Sequence, residues 1–212
     1  YCSVFGFLGN VTYGLFGLAE EGVAAGPETD AVTTCLSGLQ KPDGSWQGGD
    51  TRPPLAGRNP FVYTALAVRG LRVYAPPGRR EEIVSRVERA QTFLRSAAPA
   101  DMQEEFFKLL GLVWSGGSRR EIDTQARRVT ALQRPDGGWG QLPTMATDAY
   151  ASGQALYALR VAGVAAANAA YRKGVQYLLR TQLEDGTWHI RSRAIGFQPY
   201  FDAGFPHGRD QF

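Results

Sequence analysis

The chain has 212 residues, 43% of them hydrophobic and 20% charged, which suffices for a sizeable core and excludes a disordered tail. Its net charge of +3 comes from 20 Arg and 3 Lys against 20 acids; pairs such as Arg79-Arg80 sit beside acids such as Glu81-Glu82, a pattern of solvated helix faces rather than a nucleic-acid-binding stripe. No uncharged apolar run reaches the roughly 18–20 residues of a membrane span, no leader pattern is visible, and a start at Tyr1 reads as a fragment or a processed product of a larger chain.

Cys2 and Cys35 are far apart and form no Cys-x-x-Cys, so neither a disulfide framework nor a cysteine zinc site follows. Asn10-Val11-Thr12 matches a glycosylation triplet, a pattern that is common by chance.

Along the chain, three segments share one pattern. They are Leu39-Gln40-Lys41-Pro42-Asp43-Gly44-Ser45-Trp46, Leu132-Gln133-Arg134-Pro135-Asp136-Gly137-Gly138-Trp139 and Thr181-Gln182-Leu183-Glu184-Asp185-Gly186-Thr187-Trp188. Gln precedes Trp by six residues in each, and the copies lie 93 and 49 residues apart. A period of about 45–50 residues is the size of a helical hairpin repeat. The missing copy falls after Arg89-Ala90-Gln91-Thr92-Phe93-Leu94, where Ala98-Pro99-Ala100-Asp101 has lost both Gln and Trp.

Each unit reads as two helices. The Asp-Gly turns, two of them preceded by Pro, end a helix at the Gln and place the Trp in the loop beyond. Helical apolar spacing follows the first motif (Tyr63, Ala65, Leu66, Val68, Leu71) and precedes the second (Ala126, Val129, Ala131, Leu132). It recurs after the second (Tyr150, Ala151, Ala155, Leu156, Ala158, Leu159) and before the third (Val175, Tyr177, Leu178, Leu179). Asp101 is placed to cap a helix over Phe106 to Val113, and Thr147 or Asp148 to cap another. Only Thr187–Arg193 carries a short alternating pattern, so the fold class is all-α. Gly116-Gly117 connects helices and has no Lys-Ser/Thr after it, so it is no phosphate loop.

The Gln-x-x-x-Gly-x-Trp copies, with the aromatic-Leu pairs Phe93-Leu94 and Tyr177-Leu178, resemble the QW motif of squalene-hopene cyclases and of the related prenyltransferase β-subunits. The resemblance covers nearly the whole of 1–212 as a single domain. It implies an α/α toroid of about four hairpins, with outer helices near 28–40, 79–97, 118–133 and 168–182. The inner helices would lie near 5–22, 61–75, 102–115 and 147–163. In that family Gln40, Gln133 and Gln182, with Trp46, Trp139 and Trp188, are structural: the amide satisfies helix-end groups and the indole plugs the joint.

The resemblance also implies an elongated apolar ligand of the isoprenoid class in a central cavity. Tyr63, Phe106, Trp114, Tyr150 and Tyr157 would wall it, with Tyr13, Phe16, Phe61 and Phe107. Cyclases start by protonating an alkene or epoxide from an Asp-x-Asp-Asp motif; here Met145-Ala146-Thr147-Asp148-Ala149-Tyr150 keeps only Asp148. Asp148 is therefore both a candidate acid and a candidate helix cap. The aromatic-rich segment 195–212 offers Asp202, His207 and Asp210 as a candidate acid–base cluster, with Phe201 and Phe205 as candidate ligand contacts. No Asp-x-Cys zinc pattern and no thioester loop is present, so neither metal nor cofactor is expected. Two other readings remain open. One is a non-catalytic repeat module contacting other domains, itself or a membrane surface; the other is a carbohydrate-active α/α barrel with a carboxylate pair among Asp148, Asp202 and Asp210.

Overall fold

Helices alternate with motif loops in the computed structural model, which describes residues 7–49 and 58–190. Among the described residues the order is α1 (Phe7–Glu20), α2 (Pro27–Gly38), α3 (Pro60–Tyr74), α4 (Arg80–Ser96), α5 (Met102–Ser115), α6 (Arg119–Ala131), α7 (Ala149–Val161) and α8 (Ala169–Thr181). Among the described residues the fold is all-α, with a two-residue antiparallel pair, β1 (Trp139–Gly140) and β2 (Thr147–Asp148). That pair is too short to leave an alternating pattern in the sequence. Of the alternating run at 187–193, the described part forms one bridge, between Gln182 and Trp188.

Local chemistry sets the helix starts. Asp101 accepts from Glu104 N at 2.9 Å, and the Glu104 carboxylate returns to Ala100 N at 2.7 Å. Ser118 and Glu121 form a reciprocal capping box on α6. Asn168 caps α8 through Ala170 N and Tyr171 N. Asp148, rather than Thr147, caps α7. Helices α2 and α6 stop at Gly38 and Ala131, two residues before Gln40 and Gln133, so these amides sit in the turn and not in the last helical turn.

The odd helices lie side by side in the order α1, α3, α5, α7, and each even helix packs against its odd neighbours. The odd helices run parallel. Near their starts, Tyr63 approaches Gly9 and Tyr150 bonds Gln103. Near their ends, Arg69 pairs with Glu20 at 3.1 Å and Arg72 donates to Trp114 O at 3.2 Å. Arg119 likewise donates to Ala162 O, so two arginines meet helix C-termini, where a cation is favoured. Small residues permit the close approach: a Cβ on Gly111 would meet Leu94 at 2.9 Å and Ala65 at 3.3 Å.

The motif loops repeat bond for bond. Trp46, Trp139 and Trp188 donate Nε1–H to the carbonyls of Leu36, Val129 and Leu178, at 2.7, 2.8 and 2.9 Å. Gln40, Gln133 and Gln182 donate to the carbonyls of Gly44, Gly137 and Gly186, which turn at φ of 90°, 94° and 85°. Asp43, Asp136 and Asp185 accept from the backbone N–H two residues on. The first two loops also grip the next even helix: Gln40 donates to Arg86 O at 2.8 Å and Gln133 to Ala170 O at 2.7 Å. The backbone N–H groups of Trp46 and Trp139 donate to Thr64 Oγ1 and Ser152 Oγ of the next odd helix, both at 2.9 Å.

Candidate functional site

The faces that the odd helices turn to one another carry aromatic, ionic and polar contacts. Near the C-terminal ends, Phe16 of α1 meets Trp114 of α5 and Tyr157 of α7, with ring centroids 5.9 Å apart in both cases. Arg69 of α3 stands over the Trp114 ring at 5.8 Å while paired with Glu20. Burial, and then a hydrogen bond with the Glu20 carboxylate, push the Tyr157 hydroxyl well above the usual phenol range. All four odd helices thus contribute to one aromatic and ionic layer near this end.

Near the N-terminal ends the surroundings are more polar. Tyr150 donates its hydroxyl to Gln103 Oε1 at 3.0 Å. Gln103 is buried and its Nε2 has no partner; Gln154 Oε1, one turn beyond Tyr150 on α7, also has none. Asp148, 7% exposed, accepts from Ala151 N at 2.8 Å and from Gln141 Nε2 at 3.0 Å. Burial raises its pKa above the ordinary aspartate value, against the pull of these donors.

Of the residues singled out in sequence, Trp114 and Tyr157 come together, and Tyr150 lies at the other end beside Gln103. Tyr63 and Phe106 have no accessible surface and are packed between helices. Asp148 fulfils a cap, as Asp101 does for α5. Phe201, Asp202, Phe205, His207 and Asp210 lie outside the described residues. Among the described residues no cluster of three or more His, Cys, Asp or Glu could hold a metal, and no helix is long and apolar enough to cross a membrane. A separate cleft of about 230 Å³ lies on the outside, between α6 and the approach to α8, lined by Asp123, Ala126, Arg127, Thr130, Val164 and Asn168.

Sequence reasoning missed the joint that lacks a Trp. Four residues before the carbonyl position shared by Leu36, Leu94, Val129 and Leu178, α4 has Ala90 and α8 has Gly174, each following a Trp-bearing loop. A Cβ on Gly174 would meet the Trp139 ring at 2.8 Å. Helix α6 follows the loop without Trp and carries Gln125 there. Its amide donates to Glu105 O at 3.1 Å and Glu105 Oε2 at 2.7 Å, and Arg128 donates to Glu105 Oε1 at 2.6 Å. Glu105 stands four residues past its cap Asp101, as Ser152 stands four past Asp148. A polar network thus replaces the indole, the hydroxyl and the small residue together. The signal was the break in the Ala/Gly position, which only the register of the repeat exposes.

No family model matches the chain, and no curated protein matches it.

Proposed function

We propose that the chain is a squalene-cyclase-like α/α toroid domain that holds an elongated apolar ligand, of the isoprenoid class, among its odd helices. The observation that carries this reading is the Trp–carbonyl bond made three times over the same ten-residue reach, in the motif that resembles the cyclase QW pattern. The contact of Phe16 with Tyr157 supports a row of helices curved upon itself, because it joins the first odd helix to the last. The test is a thermal-shift and product assay with squalene and with geranylgeranyl diphosphate. Stabilisation that Trp114→Ala reduces supports the reading; no shift and no product with either would remove it.

A second reading, a non-catalytic repeat module, is favoured by Asp148. Both of its oxygens are engaged by α7 and Gln141, as befits a cap, and no second acid stands beside it in the motif. No stabilisation by either lipid, with the chain folded and Asp148→Asn no less stable, would select this version, an interaction module. The carbohydrate reading needs a second carboxylate across a cleft from Asp148, and its candidates Asp202 and Asp210 lie outside the described residues.

A further inference from the structure

Four buried side-chain nitrogen or oxygen atoms lack a hydrogen-bond partner among the described residues, and three of them lie on odd helices: Arg69 Nε on α3, Gln103 Nε2 on α5 and Gln154 Oε1 on α7. Buried polar atoms of folded proteins are paired almost without exception, so a group of orphans calls for an occupant. Their placement follows a pattern. Tyr150, Gln154 and Tyr157 stand at i, i+4 and i+7 and share one face of α7; Gln103, Phe107, Leu110 and Trp114 share one face of α5 by the same spacing. These are the faces that meet Phe16 of α1, through Tyr157 and Trp114. Arg69 joins them from α3, over the Trp114 ring. The three orphans thus belong to the faces that the odd helices share, and the exception, Arg79 Nη1, sits at the start of α4.

Gln103 is the most firmly held of the three. It is 5% exposed, and Tyr150 donates to its Oε1 at 3.0 Å, which orients the amide and leaves Nε2 as a donor in need of an acceptor. The charge at this end decides what kind. Glu104 and Asp148, 6% and 7% exposed, have their carboxylates engaged by backbone N–H groups and by Gln141, and neither forms an ion pair among the described residues. A diphosphate would bring more negative charge beside two buried carboxylates with no paired cation to offset it. Farther along the same face of α5 the residues are apolar: Phe107, Leu110 and Trp114. Gln154 Oε1, on the adjacent helix, is an orphan acceptor, which an O–H can serve and a ketone or ether cannot.

Resting on the reading of an elongated apolar ligand, we propose that this ligand is an uncharged long-chain alcohol, neither a hydrocarbon nor a diphosphate. Its oxygen accepts from Gln103 Nε2, and its chain lies along Phe107 and Leu110 toward the rings of Phe16, Trp114 and Tyr157. The test is the rise in the thermal midpoint of the intact chain, titrated in matched detergent with geranylgeraniol, squalene and geranylgeranyl diphosphate. The alcohol is expected to half-saturate at a concentration about three- to tenfold lower than squalene does, with the diphosphate weakest. Gln103→Leu should abolish the advantage of the alcohol over squalene. Gln103→Met, unbranched and equally without a donor, gives the same reading should the leucine variant fail to fold. Equal affinity for alcohol and squalene in the native chain, tightest binding of the diphosphate, or an advantage that survives the loss of the Gln103 amide would overturn the proposal and leave the apolar-ligand reading standing. No shift with any of the three would remove that reading and the proposal with it.

Discussion

Phe16 and Tyr157 meet edge to face, ring centroids 5.9 Å apart, although they belong to the first and the last of the odd helices. Neighbour-to-neighbour packing alone would leave α1 and α7 at opposite ends of a flat row. Their contact, with Trp114 alongside and Arg69 over the Trp114 ring, brings α1 and α7 together across the intervening helices. Phe16→Ala removes both ring contacts at once. The expected loss is about 3 kcal/mol or somewhat less, since Phe16 is only half-buried, measured as a shift of the urea midpoint at constant m.

The joint tryptophans are predicted to differ in weight. Trp46→Ala and Trp139→Ala each open a cavity behind a fully buried ring and remove the indole's bond to a helix-end carbonyl, a cost of about 3–5 kcal/mol. Trp188→Ala, in a half-buried ring with the same carbonyl bond, should cost clearly less. Equal losses in the three variants would show that burial does not set the contribution of the motif.

The glycine turns give a second contrast. Gly186→Ala meets open space and bears only the left-handed strain, about 1 kcal/mol. Gly137→Ala bears that strain and a clash with the Lys173 carbonyl, so its thermal midpoint should fall further. Comparing the two separates backbone conformation from helix docking.

At the polar joint, Glu105→Ala leaves the buried Gln125 amide without its side-chain acceptor. That variant should lose about 1–3 kcal/mol. Arg128 is mostly exposed, and its removal should cost less, with a dependence on salt. A double-mutant cycle reads the coupling directly.

Two acids should act on the pH profile of stability in opposite directions. Ser118 and then Arg95 hold Glu121 down at about 2 from an ordinary 4.5, so its stabilisation is complete above the ordinary value and is lost as pH falls toward 2. Glu121→Gln should flatten that limb. Asp148 has a raised pKa, so ionising it opposes folding. That penalty is absent below 3.8, grows as pH rises through the folded-state pKa and is constant above it. Asp148→Asn keeps a capping oxygen and should gain on the native chain across that window, whereas Asp148→Ala should lose about 1 kcal/mol. Unfolding midpoints from pH 2 to 7 test both.

Much of the helical order is legible in the residues. The region expected to be helical at 102–115 is Met102–Ser115, because Asp101 supplies an unambiguous start and Gly116, at φ of 80°, an unambiguous stop. The starts of α7 and α8 fall within two residues of their expected positions, and the deviation at α7 is physical: Thr147 and Asp148 are held in the two-residue ladder with Trp139 and Gly140. The candidate site was legible only in part. The meeting of Phe16, Trp114 and Tyr157 depends on how four helices curve, which no local pattern encodes. The network of Glu105, Gln125 and Arg128 leaves no local pattern, since its members lie 20 and 23 residues apart.

The rebuilt joint between the second and third hairpins carries a lesson for recombination. Indole with hydroxyl and alanine or glycine, or else glutamate with glutamine and arginine, are matched sets spanning two hairpins. Hairpins of this chain are therefore not free cassettes. A graft that moves one hairpin without the complementary half of its neighbour would oppose a tryptophan to a glutamine, or strand a carboxylate in a dry seam, and the chimera would fail at the seam and not within either hairpin.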